Sequence, residues 1–223
     1  FEMDQRTPSG DGPLDSHFVS IGNDTLGTLT VHGHGGSNSA AALDATAAGD
    51  LWDSTLGITT LGTVGARMAP LSATSGNNLV VYSLPSIIDG LSVGVSSQLA
   101  TTGGSASTAF GVTYAGIDGL SVSYGQGDTS GAADVSGDQT IMKASYVLGS
   151  ITASVSQNDY DHTTNTNDQT VTGYGLSYTV SDAISLTYGE ETIDRALQVS
   201  DIEVKGYTAS YTTGGMTLSL ASK

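Results

Sequence analysis

A tyrosine returns at positions 82, 114, 146, 178 and 211, at intervals of 32, 32, 32 and 33 residues. Each sits near the end of a segment in which bulky and small residues alternate: NNLVVYSLP, STAFGVTYAG, QTIMKASYVL, VTGYGLSYTV and EVKGYTASYTT. Each segment is followed by a turn signal and a second alternating run: DGLSVGVSSQ (89–98), DGLSVSYGQG (118–127), GSITASVSQN (149–158), DAISLTYGEE (182–191) and GGMTLSLASK (214–223). A fixed internal period marks one supersecondary unit per repeat. Period-2 alternation makes that unit a hairpin of two strands, each of about 8–11 residues. One end of each hairpin closes tightly, as at GIDG (116–119), LGS (148–150), SDA (181–183) and TGG (213–215). The other opens into a longer polar loop, as at QNDYDHTTNTND (157–168) and GEETIDRALQVSD (189–201).

The two strand faces differ in kind. One collects Leu91, Val93, Val95, Leu120, Val122, Tyr124, Ile151, Val155, Ile184, Leu186, Tyr188, Met216, Leu218 and Leu220. The other collects Ser92, Gly94, Ser96, Ser121, Ser123, Gly125, Thr152, Ser154, Ser156, Ser185, Thr187, Gly189, Thr217 and Ser219. A soluble sandwich, a repeat solenoid and a transmembrane barrel all use two-faced strands. A sandwich normally carries Lys and Glu on its wet face, not Ser and Gly. The strand length suits a tilted membrane crossing of about 9–11 residues. Short turns on one side and long loops on the other are the asymmetry of transmembrane barrels, and tyrosines at constant distance from the short turns suit an interfacial girdle. A closed sheet also pairs every backbone group inside a bilayer, as hydrocarbon requires. The expected fold is therefore all-β, a transmembrane antiparallel up-and-down β-barrel, with Tyr82, Tyr114, Tyr146, Tyr178 and Tyr211 as the girdle.

Composition narrows the function. With 22 acidic and 6 basic residues the formal charge is −16, which opposes phosphate neutralisation and so nucleic-acid binding. Cysteine is absent, so disulfides and cysteine–zinc sites are excluded. No run approaches the roughly 18 apolar residues of a membrane helix. Phe1 follows neither a Met nor a charged leader, so the chain is expected to be processed or trimmed.

The first 76 residues are less regular. SHFVSIGN (16–23) and LGTLTVHG (26–33) read as two strands joined at Asp24–Thr25, after an opening strand end and loop in FEMDQRTPSGDGP. Residues 34–60 lose the alternation, and AAALDATAAGDLWD within them reads as a short helix with Ser39 as its N-cap. A segment this long without strands, in an otherwise regular hairpin protein, is expected to be functional or disordered.

The stretch GARMAPLSATSGNNLVVYSLPSIIDGLSVGVSSQ (65–98) resembles the general porins of Gram-negative bacteria. The pattern is Arg67, a short spacer, NNLVVYSLP, then a Gly-led alternating strand. LGTLTVHGHGG (26–36) is similar to the strand that leads into the porin constriction loop, and the Gly/Ser/Thr/Asp-rich style looks like porins of marine alphaproteobacteria. The resemblance covers nearly the whole chain in pattern and about 40 residues in motif. It implies a barrel of about 16 strands, a homotrimer, and contact with lipid and lipopolysaccharide. Ten strands are expected from 77 to 223 and about two before residue 34, and Lys223 is not the terminal aromatic of such barrels. The chain is thus expected to lack the first strands and the last, a self-contained 12-stranded barrel being the other reading.

The resemblance also implies one domain over 1–223, with 34–60 folded into the lumen as a constriction. Asp44, Asp50 and Asp53 would face basic groups, of which Arg67 and Lys143 are the candidates, and Trp52 would anchor the loop. The expected function is passive diffusion of ions and small hydrophilic solutes across the outer membrane, with mild cation preference and no catalysis. Selectivity in such pores comes from width and lining charge.

Other signals are weaker. Asp159, Asp161 and Asp168 offer oxygen ligands, but without EF-hand spacing they read as an acidic surface loop and only faintly as calcium ligands; no cofactor is expected. His32 and His34 share a strand face without a third metal ligand, and GQGDTSG (125–131) lacks the lysine and helix of a phosphate loop. No G-x-S-x-G elbow occurs in a strand–turn–helix setting. The competing class is a non-catalytic adhesin or surface-layer repeat, which would carry charge on both strand faces.

Overall fold

In the computed structural model, placement is described for residues 2–3, 14–43, 46–47, 60–61, 66–67, 78–99, 106–129, 137–163, 168–196 and 198–222. Every regular element among them is a strand. The long strands are β2 (Leu14–Asn23), β3 (Gly27–His34), β6 (Leu79–Ser83), β7 (Leu91–Gln98), β8 (Ser107–Ile117), β9 (Leu120–Thr129), β10 (Gly137–Leu148), β11 (Ile151–His162), β12 (Gln169–Ser181), β13 (Ile184–Arg195), β14 (Ile202–Thr213) and β15 (Met216–Ser222). With β1 (Glu2–Met3) they form one antiparallel sheet in simple chain order. A separate ribbon pairs β4 (Thr60–Leu61) with β5 (Ala66–Arg67).

The ten strands expected after residue 77 and the two before residue 34 are all present. Their turns follow from local chemistry. Gly90 and Gly119 both take φ of +75° after an aspartate, a conformation in which a Cβ is penalised. The motif asparagine Asn78 is the one non-glycine described residue at positive φ (53°), which asparagine tolerates better than most residues. It marks the re-entry into the sheet: its N–H bonds to the Gly33 carbonyl, and its own carbonyl accepts from Leu99 N–H.

Register turns the alternation of each strand into a property of the whole sheet. Tyr114 lies opposite Leu91 and Val122. Tyr146 lies opposite Leu120 and Ala153, Tyr178 opposite Ile151 and Leu186, and Tyr211 opposite Ile184 and Leu218. The bulky residues near the short turns therefore share one face. They are exposed on it, with Tyr146, Tyr178 and Tyr211 each at 47 %. Tyr82 joins them through its hydroxyl, which donates to the Leu26 carbonyl in the β2–β3 turn.

The helix expected within 40–53 is replaced, over the residues described, by a single turn at 39–42. Asn38 caps it: its carbonyl accepts from Ala42 N–H at 2.9 Å and its Oδ1 from Ala41 N–H at 2.6 Å. Ser39 is not the cap, because its Oγ receives no N–H of the turn, and its own N–H donates to Ser96 Oγ on β7 at 2.9 Å. Helix propensity in this alanine-rich run yields to hydrogen bonds from the sheet.

Candidate functional site

The small-residue face has an occupant. The segment after β3 leaves the strand end and lies across this face. Ala40 is fully buried there, with Asn38 and Ser39 at 4 % and 7 % exposure. Besides the Ser39–Ser96 bond, Ala47 N–H donates to Ser156 Oγ at 2.9 Å, and Ser154 Oγ donates to the Ala47 carbonyl at 2.6 Å. Glycine supplies the room. A Cβ on Gly111 would stand 2.2 Å from the Ser39 carbonyl oxygen, and one on Gly175 would stand 2.2 Å from that of Ala47. Gly125 lies under Ala40 and Leu43. The loop thus passes over β7, β8, β9, β11 and β12, against Gly backbone and Ser side chains, moving from the rung of Gly111 and Gly125 to the height of Ser154 and Ser156.

Lys143 belongs to that height. It is opposite Ser123 on β9 and Ser156 on β11, and Ser156 is the residue that receives the loop. The structure therefore brings Lys143 and the loop backbone to one rung of the inner face. Glu191 is on the same rung, reached through Gly173 on β12. Its neighbour Glu190 has the opposite, outward parity, beside Tyr174. Arg195, opposite Gln169, also has the inward parity. Arg67 lies in the β4–β5 ribbon and not in the main sheet. Asp44, Asp50, Asp53 and Trp52 lie outside the described residues.

Toward the short turns the inner face is a ladder of paired hydroxyls. Ser20 pairs with Thr30 at 2.7 Å, Thr113 with Ser123 at 3.0 Å, Ser177 with Thr187 at 2.6 Å, and Ser185 with Ser210 at 2.6 Å. Toward the long loops the outer face turns polar, while the inner face is buried and mixed: one apolar rung lies between rungs that carry the buried polar residues Glu191, Gln139 and Gln169. The inner rung Gly125–Ile141–Asn158–Val171–Ile193–Ile202 is largely apolar. Ile141, Val171 and Ile193 are at most 3 % exposed. On the outer face the apolar run stops at Phe110, Tyr124, Met142, Tyr174 and Tyr207. The rows beyond carry Gln126, Thr140, Asp159, Thr170 and Asp194. Just past the Tyr188–Tyr207 ring pair, centroids 5.1 Å apart, Lys205 Nζ lies 3.5 Å from both Glu190 and Glu203, and Tyr188 donates to Glu190 at 2.6 Å. The outward carboxylates Asp128, Asp138 and Asp161 share one row, again outside the lumen face. The polar end of the outer face was readable in sequence as polar residues two positions beyond the bulky ones, such as Gln126 after Tyr124 and Glu190 after Tyr188.

The weak calcium candidates are occupied locally. Asp159 accepts from Gln157 and Thr170, and Asp168 accepts from the His162 N–H. Among the described residues no group of three or more His, Asp or Glu is arranged to hold a metal ion. His32 stacks against Phe18, with ring centroids 5.4 Å apart.

An up-and-down sheet, apolar outside and crossed inside by a loop, is the architecture of a membrane channel, and the sequence of residues 1–217 matches the Gram-negative porins. The chain belongs to the Gram-negative porin family. Solved porins share its fold. A mutant of Rhodobacter blastica porin superposes with a TM-score of 0.65 at 15% identity, over 98% of this chain and 74% of that one. A porin refined at 1.8 Å resolution gives 0.58 at 16% identity, over 92% and 74%. In-vitro folded OmpT, an outer-membrane protein of Vibrio cholerae, gives 0.59 at 15% identity, over 93% and 68%. No curated protein sequence matches the chain. This porin is a β-barrel channel protein of the outer membrane, and the adhesin reading has no support beside that assignment.

Proposed function

We propose that this porin is a non-catalytic passive diffusion channel for ions and small hydrophilic solutes, mildly cation-selective and working as a homotrimer in contact with lipid and lipopolysaccharide. The observation that carries the channel reading is the loop lying on the inner face, held to Ser96, Ser154 and Ser156. In this reading the segment 34–60 is the constriction. Its acids Asp44, Asp50 and Asp53 face Arg67 and Lys143 across the lumen, and the field between them sorts ions. Tyr82, Tyr114, Tyr146, Tyr178 and Tyr211 form the interfacial belt on the short-turn side. The outer edge of the lipid contact falls where the outward face turns polar, at Tyr174 and Tyr207.

Cation preference rests on the loop acids and the net charge of −16. The strand carboxylates Asp128, Asp138, Asp159, Asp161 and Glu190 have the outward parity and contribute little to it. The test is planar-bilayer recording of native protein in a KCl gradient. Stepwise currents in groups of three, with a reversal potential on the potassium side, are expected. Chloride preference would sink the selectivity claim, and an absence of current would sink the channel.

A further inference from the structure

We propose that the inner wall, chiefly Gly111, Gly175, Ser96 and Ser156, is the positioning element that sets how far the loop stands into the lumen, and hence the aperture. This rests on the reading of the loop as the constriction. The loop is gripped at two points, each by its backbone. At the first, Ser39 N–H bonds to Ser96 Oγ while its carbonyl lies over Gly111. At the second, Ala47 has both backbone groups held by the wall, N–H by Ser156 and C=O by Ser154.

Both grips hydrogen-bond the loop through its backbone, and between them the side chains of Ala40 and Leu43 lie over Gly125. A Cβ at Gly111 or Gly175 would meet a backbone oxygen at 2.2 Å, far inside the roughly 3.0 Å that real Cβ contacts keep. Each of these glycines is in a strand with partners on both edges, β8 between β7 and β9, and β12 between β11 and β13. The strand cannot recede without breaking two ladders, so the loop must lift toward the lumen. Four strand spacings separate β8 from β12, about 19 Å. The eight-residue step from Ser39 to Ala47 reaches at most about 28 Å. The segment is therefore long enough to occupy both seats at once.

The chain has no native cysteine, which makes the seats testable in the full-length protein. The Ser39 Cβ is 3.5 Å from a Cβ built on Gly94, and the Ala47 Cβ is 3.5 Å from one built on Gly173. Both lie within the 3.5–4.5 Å range of disulfides. The double variants S39C/G94C and A47C/G173C are expected to oxidise, leaving no free thiol, with unit conductance the same before and after reduction. In G111A and G175A unit conductance is expected to fall, and to fall further in the double variant, while S185A, nearer the short turns than either seat, keeps the parental value. Failure of both cysteine pairs to oxidise in folded protein would remove the seats and the proposal, without touching the reversal-potential test of the constriction. Oxidised pairs together with parental conductance in G111A and G175A would show a seated loop whose height does not set the aperture, and would overturn the proposal. A channel whose conductance is indifferent to the glycines and whose reversal potential is also near zero would count against the constriction itself.

Discussion

Lys143 shows how much one position can carry. Its neighbours across the ladder are serines, and one of them, Ser156, receives the loop. Removing one charge about 8 Å from a permeant ion in water is worth about 0.5 kcal/mol. The effect has opposite signs for potassium and chloride, so in Lys143→Gln their permeability ratio is expected to rise about fivefold, read from the reversal potential. Asp138→Asn with Asp161→Asn removes two charges from the outward face, where the wall and the outside electrolyte separate them from the lumen. That pair is expected to leave the ratio unchanged, and a shift equal to that of Lys143→Gln would mean the faces are assigned the wrong way round. The lumen-side parity of Lys143 was legible from alternation alone. Its place beneath the loop was not, because the Ala47–Ser156 bond joins residues 109 apart in sequence.

The strands and the loop were legible to different degrees. Boundaries of the hairpins came out close to expectation because each is set locally, by alternation and by a turn residue such as Gly119. The alanine-rich stretch after Ser37 read as a helix because its neighbours along the chain favour one. Its described residues make one turn instead, since Ser96, Ser154 and Ser156 compete for its backbone groups. The change of the outer face from apolar to polar belongs to this scale as well. Leu176 sits within the outward apolar run, opposite Ala153 and Tyr188, whereas Thr192 lies beyond it, opposite Thr172 and Glu203. An arginine facing lipid costs about 2–4 kcal/mol at mid-bilayer and about 0–1 kcal/mol near the interface. Leu176→Arg is expected to show the first loss and Thr192→Arg the second, in reversible denaturant unfolding from lipid vesicles. Equal losses would place both residues in the same medium.

The described residues combine a hydroxyl-lined inner face near the short turns, a loop laid across it, and toward the long loops a buried interior in which one apolar rung lies among polar ones. A lumen wall that was wet along its full length would tolerate truncation of an inward residue. Ile193 is instead fully buried, on a rung with Val171 and Asn158. Ile193→Ala is therefore expected to cost about 2–5 kcal/mol in unfolding free energy, measured as in the arginine pair. A loss below about 0.5 kcal/mol, the usual surface value, would mean that water reaches this rung. By itself the sequence determined the strand count after residue 77, the turn ends and the two-faced wall, because alternation and turn chemistry act between near neighbours. It also carried the porin resemblance, in a short motif around Asn78 and Tyr82. Only the tertiary structure decided what each face meets. The same Ser/Gly pattern suits water or a backbone laid against it, and the choice between them is made by a segment that is remote in sequence and adjacent in space.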